Sequence, residues 1–223
     1  MKFKYIIFLS FLLNLNALAQ SGIKAGINIS NFYGANANYG ETQHNNFIAP
    51  FFGYYKDWDI AKDSSHSYYF SIGLETDISV KGAVMNNKIT YSEAGPFEIW
   101  DISDRKMYGY YLELPHTVKL HYIFTRNFQT QLYGGGILSF EFVDVTKSIR
   151  DSNPNYSFNE KHLFLIPTLE GPDPPSFLTY SLLFGVTFSY KRFLLDMRFS
   201  KGVTEIYSGI YLSSISISLG YKL

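Results

Sequence analysis

The residues best equipped for chemistry are five acids and four bases set within alternating apolar stretches. The acids are Glu75, Asp77, Glu113, Glu141 and Asp196; the bases are Lys24, Lys81, Lys119 and Arg198. Alternate side chains of a strand point to opposite faces, and on that count all nine share the face opposite the apolar rows. Converging carboxylates and cations can form an acid/base site, a proton or ion path, or a filling of salt bridges. If the strands close into a small barrel, its interior has room only for side chains, and buried charges must be paired. The expectation is therefore a lumen charge network that fills the barrel, with no general diffusion pore.

The five histidines are His44, His66, His116, His121 and His162. His116 and His121 are five apart, which puts them on opposite faces of a strand and excludes a metal-ligand pair. A barrel-borne lipid hydrolase needs a serine beside an outward histidine, but the outward neighbours of His116 are Leu114 and Val118. His116 itself is expected outward near mid-membrane, where a polar ring is costly without a partner. It then serves as a membrane contact, meeting another membrane protein or a lipid headgroup, unless a bulge at Pro115 turns it inward. Gly134-Gly135-Gly136 lies within a strand and marks close packing or curvature, since a phosphate loop would need a following helix. The chain has no cysteine, so disulfides and thiolate metal sites are excluded. No cofactor and no enzymatic activity are expected.

The elements that position these residues follow from the alternation. The clearest is Tyr108–Tyr122, with Tyr110, Leu112, Leu114, Val118, Leu120 and Tyr122 on one face and Glu113, Thr117 and Lys119 on the other. Apolar outside, polar inside and aromatic at both ends is the pattern of a transmembrane barrel strand. The same reading gives strands over about Gly22–Phe32, Phe47–Asp57, Tyr68–Lys81, Phe128–Phe142, Phe177–Tyr190, Phe193–Ser200 and Ser214–Leu223. The second is poorly patterned, with Phe51, Phe52, Tyr54 and Tyr55 placing aromatics on both faces. Trp58–Ser67 reads as a turn. Long irregular segments are expected over Gly82–Lys106, with a short strand near Lys88–Tyr91, and over Val143–Ser176. Within the latter, Phe164, Leu165 and Ile166 form either a loop binding surface or strand extensions packed on one another. Eight strands with alternating long and short connections give an all-β, eight-stranded antiparallel transmembrane β-barrel. Its short turns lie on the periplasmic side and its long loops outside.

Met1–Lys4 is basic, Tyr5–Leu13 is apolar, and Ala17-Leu18-Ala19 supplies small residues at a cleavage site. These are the parts of a signal peptide, so residues 1–19 are expected to be removed and residues 20–223 to form one barrel domain in the outer membrane of a Gram-negative cell. With 19 Tyr and 20 Phe, the chain has the rings for two aromatic girdles. A net charge of zero gives nucleic acid nothing to bind. The expected partners are outer-membrane lipid and a protein of the envelope.

Five segments, in order, resemble the outer-membrane β-barrel family of Bacteroidota related to PorT. Gly22–Phe32 (GIKAGINISNF) is similar to its GLKAGLNLSNF opening, and Tyr111–Pro115 (YLELP) to its YLEIP strand. Ile78–Ala83 (ISVKGA) resembles its YSQKGA strand end, Arg198–Val203 (RFSKGV) its RYSYGL, and Ser218–Leu223 its LGYRF ending. The chain departs from the pattern at His116, where the family has an aliphatic residue, and at Leu223, where it has Phe. The resemblance implies an eight-stranded outer-membrane barrel of the porin-family type without a shared catalytic motif. It also implies a second function, as an accessory component of a secretion or transport assembly such as type IX secretion. The leading expectation is a non-enzymatic barrel whose loops contact an external ligand or partner. A third is a barrel-borne lipid-modifying enzyme.

Overall fold

The computed structural model describes residues 19–34, 43–62, 67–92, 99–150, 157–163, 178–206 and 209–223. Nine strands occupy them: β1 (Ala19–Tyr33), β2 (Gln43–Lys62), β3 (Tyr68–Ser92), β4 (Ile99–Thr125), β5 (Phe128–Arg150), β6 (Ser157–Leu163), β7 (Leu178–Tyr190), β8 (Phe193–Gly202) and β9 (Tyr211–Lys222). Eight of them run β4-β3-β2-β1-β9-β8-β7-β5, and a β4–β5 pairing closes the ring. Every neighbour is antiparallel. β6 lies outside the ring and pairs with β5 through Val143↔Leu163 to Ile149↔Ser157.

The faces are those of a protein dissolved in lipid. β8 is the simplest example: Leu194, Asp196, Arg198 and Ser200 are buried inside, while Phe193, Leu195, Met197 and Phe199 are exposed outside. The buried residues of the barrel are largely polar, and its exposed surface carries rows of Ile, Leu, Phe and Val. In water that arrangement would forfeit the hydrophobic driving force, but in a bilayer it is the stable one. Two aromatic belts bound the apolar band. Phe47, Tyr108, Tyr110 and Phe142 pack around the end that carries the long connections, with ring centroids 5.2–6.2 Å apart. At the short-turn, periplasmic end, Tyr122, Phe124 and Phe128 form a run with spacings of 4.7 and 5.4 Å, and Phe193 meets Tyr221 at 5.5 Å. Tight turns join the strands at this end. In one of them Lys191 adopts φ 54°, the left-handed conformation that a two-residue hairpin demands.

Several strands are longer than the alternation predicts, and at the outer end the physical reason is the same at each site. Above the outer belt the hairpins leave the bilayer and lipid no longer imposes a binary pattern on the sequence, yet the ladder begun in the membrane continues. β3 and β4 stay paired past Lys81↔Gly109 as far as Ser92↔Ile99, through a segment expected to be irregular apart from a short strand near Lys88–Tyr91, which lies within β3. β5 likewise runs on to Arg150, and β6 takes the place beside it that β7 holds lower down. β2 is extended at the opposite, short-turn end, where it reaches Lys62 and not Asp57 and pairs with Tyr69. A bulge between Tyr110 and Tyr111 in the β4–β5 register brings Asp144 to the buried side, in addition to Glu141. No bulge occurs at Pro115: Leu74↔His116 and Asp77↔Glu113 keep one register.

Each of the eight ring strands is paired on both sides, so unfolding must break the ring as a whole. Unboiled protein is expected to migrate on a gel as a compact species that shifts on boiling. A protein released by osmotic shock and indifferent to boiling is incompatible with this fold.

Candidate functional site

The lumen is where the sequence's acids and bases meet. Arg198 on β8 reaches across the barrel to β3. Its Nη1 donates to Glu75 Oε2 at 3.1 Å and its Nη2 to Asp77 Oδ2 at 2.6 Å. Glu75 also accepts from Lys24 on β1 and from Lys119 on β4, the latter at 3.4 Å. Lys119 lies 2.9 Å from Asp57, and Lys24 lies 3.7 Å from Asp196. Asp196 accepts in turn from Tyr133 at 2.6 Å and Thr187 at 2.7 Å. Nearer the outer end, Glu113 accepts from Lys81 at 2.7 Å, Ser79 at 2.8 Å and Ser139 at 3.0 Å. Glu141, also buried, stands apart from these pairs, and its Oε2 has no hydrogen-bond partner among the described residues.

Burial explains why the network is so dense. Asp77, Glu113, Arg198, Lys24 and Lys119 are all less than 5% exposed. A charge so placed is tolerable only when it is paired and hydrogen-bonded. The aromatics on the inner face of β2 belong to the same solution. Phe51 lies under Arg198 (4.8 Å) and Lys24 (5.9 Å), and Tyr55 lies under Lys119 (5.6 Å), as cation–π partners. Gly53 is part of it too, because a Cβ there would collide with the Asp77 carboxylate. Toward the outer end, Phe32, Ala83 and Ile206 form an apolar cap against which Met107, Ile210 and Leu212 pack. A cavity of about 20 Å³ remains among Lys24, Asp57, Glu75, Lys119, Gln131 and Asp196, room for about one water.

Sequence reasoning missed two things here. Asp57 closes the Lys119 end of the network, but it stood at the edge of a poorly patterned strand. Ser71 Oγ and His121 Nε2 lie 2.7 Å apart, and the His121 ring stacks on Tyr69 at 3.9 Å. A Ser–His contact is the geometry of an activated nucleophile, yet both side chains are fully buried. Among the described residues no face of the pair is open, and its contacts lie within the barrel.

On the lipid face, His116 points outward and is exposed. Its Nε2 lies 3.1 Å from Tyr180 Oη and its Nδ1 3.4 Å from the Leu114 carbonyl. One neutral tautomer satisfies both: Nδ1–H donates to the carbonyl and Tyr180 O–H donates to Nε2. The pair sits over Gly136, where a Cβ would strike both rings. Tyr180→Phe is expected to cost about 1 kcal/mol by stranding Nε2, and His116→Leu a similar amount. The double variant should recover part of the loss, because replacing both partners by apolar groups is close to neutral. Urea titrations of the four proteins in vesicles measure the coupling. Additive losses would mean that the ring finds its partner outside the barrel. Phe164, Leu165 and Ile166 lie outside the described residues.

No protein-family model matches the chain, and no curated protein matches it. Among solved structures it is similar to the Yersinia pestis attachment invasion locus protein Ail, at 11% identity over 92% of this chain and 99% of that one, with a TM-score of 0.41. It is also similar to the Neisserial surface protein A, at 9% identity over 92% and 99% of the two chains (TM-score 0.38). A third is the outer-membrane protein OprG of Pseudomonas aeruginosa, at 12% identity over 92% and 94% (TM-score 0.40).

Proposed function

We propose that this chain is a non-enzymatic outer-membrane protein, exported by its first 19 residues, whose outer hairpins contact an external ligand or an envelope protein. The observation that carries the reading is the continuation of paired strand beyond the outer aromatic belt. β3, β4, β5 and β6 form a sheet there that reaches from Gly82–Ser92 across to Ser157–Leu163. Lipid needs no such extension, and a barrel filled with paired charges has no conduit for the extension to guard. A sheet standing clear of the membrane is a rigid platform for recognition.

The test is to replace the β5–β6 hairpin beyond Thr146 and Glu160 with a short turn, then purify native outer membranes in mild detergent. Partners retained by the parent and lost by the variant, with secretion intact, support this reading. Failed secretion favours the accessory role in a secretion assembly that the family resemblance implies. Unchanged partners and unchanged secretion would end the proposal for this hairpin.

A further inference from the structure

Two of the tight periplasmic turns lie side by side. β5 and β7 are neighbours, with Phe128 opposite Tyr190, and the Lys191 N–H donates to the Asn127 carbonyl at 2.7 Å. This bond joins the β4–β5 turn to the β7–β8 turn, and the Lys222 N–H extends the join to β9 by donating to the Arg192 carbonyl at 2.8 Å. Three exposed cations, Arg126, Lys191 and Arg192, therefore share one stretch of rim. No acid occurs in the sequence over residues 123–130, 188–193 or 219–223 that builds this stretch.

Two of the three cations are tied to the aromatic belt. Arg192 Nη1 donates to Tyr221 Oη at 3.2 Å, and Lys191 Nζ lies 5.6 Å from the Tyr190 ring centroid. Tyr122, Phe124, Tyr190 and Phe193 are exposed just beneath. Belt tyrosines sit at the headgroup level of a bilayer, so the cations tied to them sit among lipid phosphates. Arg192 spends one donor on Tyr221 and keeps four, in the forked geometry that suits a phosphate.

We propose that this rim is a binding site for an anionic glycerophospholipid of the inner leaflet, its phosphate held by Arg126, Lys191 and Arg192 and its acyl chains lying along Phe128 and Tyr190. The site is independent of the outer hairpins and stands whether or not they bind a partner.

The full chain, folded in zwitterionic micelles, tests this by titration with phosphatidylglycerol, phosphatidylcholine, lipopolysaccharide or inorganic phosphate, with the thermal unfolding midpoint as the readout. A ligand that binds the folded state raises that midpoint. Phosphatidylglycerol is expected to raise it and phosphatidylcholine to leave it unchanged. The Arg126→Gln/Lys191→Gln/Arg192→Gln variant should lose the shift, with affinity falling about fivefold per charge removed. The single variants Arg126→Gln and Lys191→Gln should each lose part of it, which keeps the test open if the triple variant fails to fold. The proposal is overturned by an equal phosphatidylglycerol shift in parent and variants, or by no shift in the parent. It is also overturned by a response to lipopolysaccharide in place of phosphatidylglycerol, or by a response to inorganic phosphate of the same size.

Discussion

Arg198→Met is expected to destabilise the barrel by about 3–5 kcal/mol, the cost of breaking a buried ion pair from one side. Among the described residues, the guanidinium is the one group hydrogen-bonded to both Glu75 and Asp77 (3.1 and 2.6 Å). Glu75 would still have Lys24 and Lys119, so most of the penalty falls on Asp77. That side chain is fully buried and has no other ion pair among the described residues. The methionine fills much of the arginine's volume, so the loss reports charge more than cavity. Adding Asp77→Asn to Arg198→Met should restore a substantial part of the stability, because the stranded carboxylate is then gone. Urea-induced unfolding in vesicles measures both variants. With an m-value of about 1–3 kcal/mol/M, the single variant moves the midpoint by roughly 1 M or more. Additive losses would show that Arg198 and Asp77 are not coupled across the lumen.

Phe184→Arg is the second large effect, at about 2–4 kcal/mol if the side chain meets hydrocarbon near the midplane. Phe184 is 59% exposed on the outer row of β7, and Thr187, three residues on, is buried inside. Arginine at 184 faces lipid, whereas arginine at 187 crowds Asp196, to which Thr187 donates at 2.7 Å. Both variants should be unstable, for different reasons, and a spin label separates them. The chain has no cysteine, so Phe184→Cys gives a single labelling site. The label is expected to be accessible to oxygen and shielded from a water-soluble relaxant. The opposite accessibility would place β7 one residue out of register.

Much of this architecture is legible in the sequence because lipid and lumen impose opposite polarities on alternate residues. The membrane-spanning parts of β3 (Tyr68–Lys81) and β4 (Tyr108–Tyr122) and the whole of β8 carry that alternation, and the inner faces of Glu75, Glu113 and Arg198 could be read from it. β2 obscured it, because the lumen cations recruit Phe51 and Tyr55 to the inner face while Phe52 and Tyr54 face lipid. Above the belts the alternation has no cause, so the outer reach of β3, β4 and β5 and the whole of β6 left no periodic trace. Contacts that depend on register across strands were also out of reach. Neither the His116–Tyr180 pair over Gly136 nor the Ser71–His121 pair follows from spacing along one strand. The Ser71–His121 pair appears once β3 is laid against β4, and the His116–Tyr180 pair once β4 and β7 are laid on either side of β5 at Gly136.

Conductance across a planar bilayer tests the filled lumen most directly. The expectation is that the interlocked charge network, beneath the apolar cluster of Phe32, Ala83 and Ile206, leaves ions no path through the lumen. The folded full chain, its insertion verified by the heat-shifted band, should give no steady ionic current above that of the bare bilayer. A stable ohmic current whose ion selectivity changes on Lys81→Glu or Asp196→Asn would mean that water and ions pass through the network, and would contradict it.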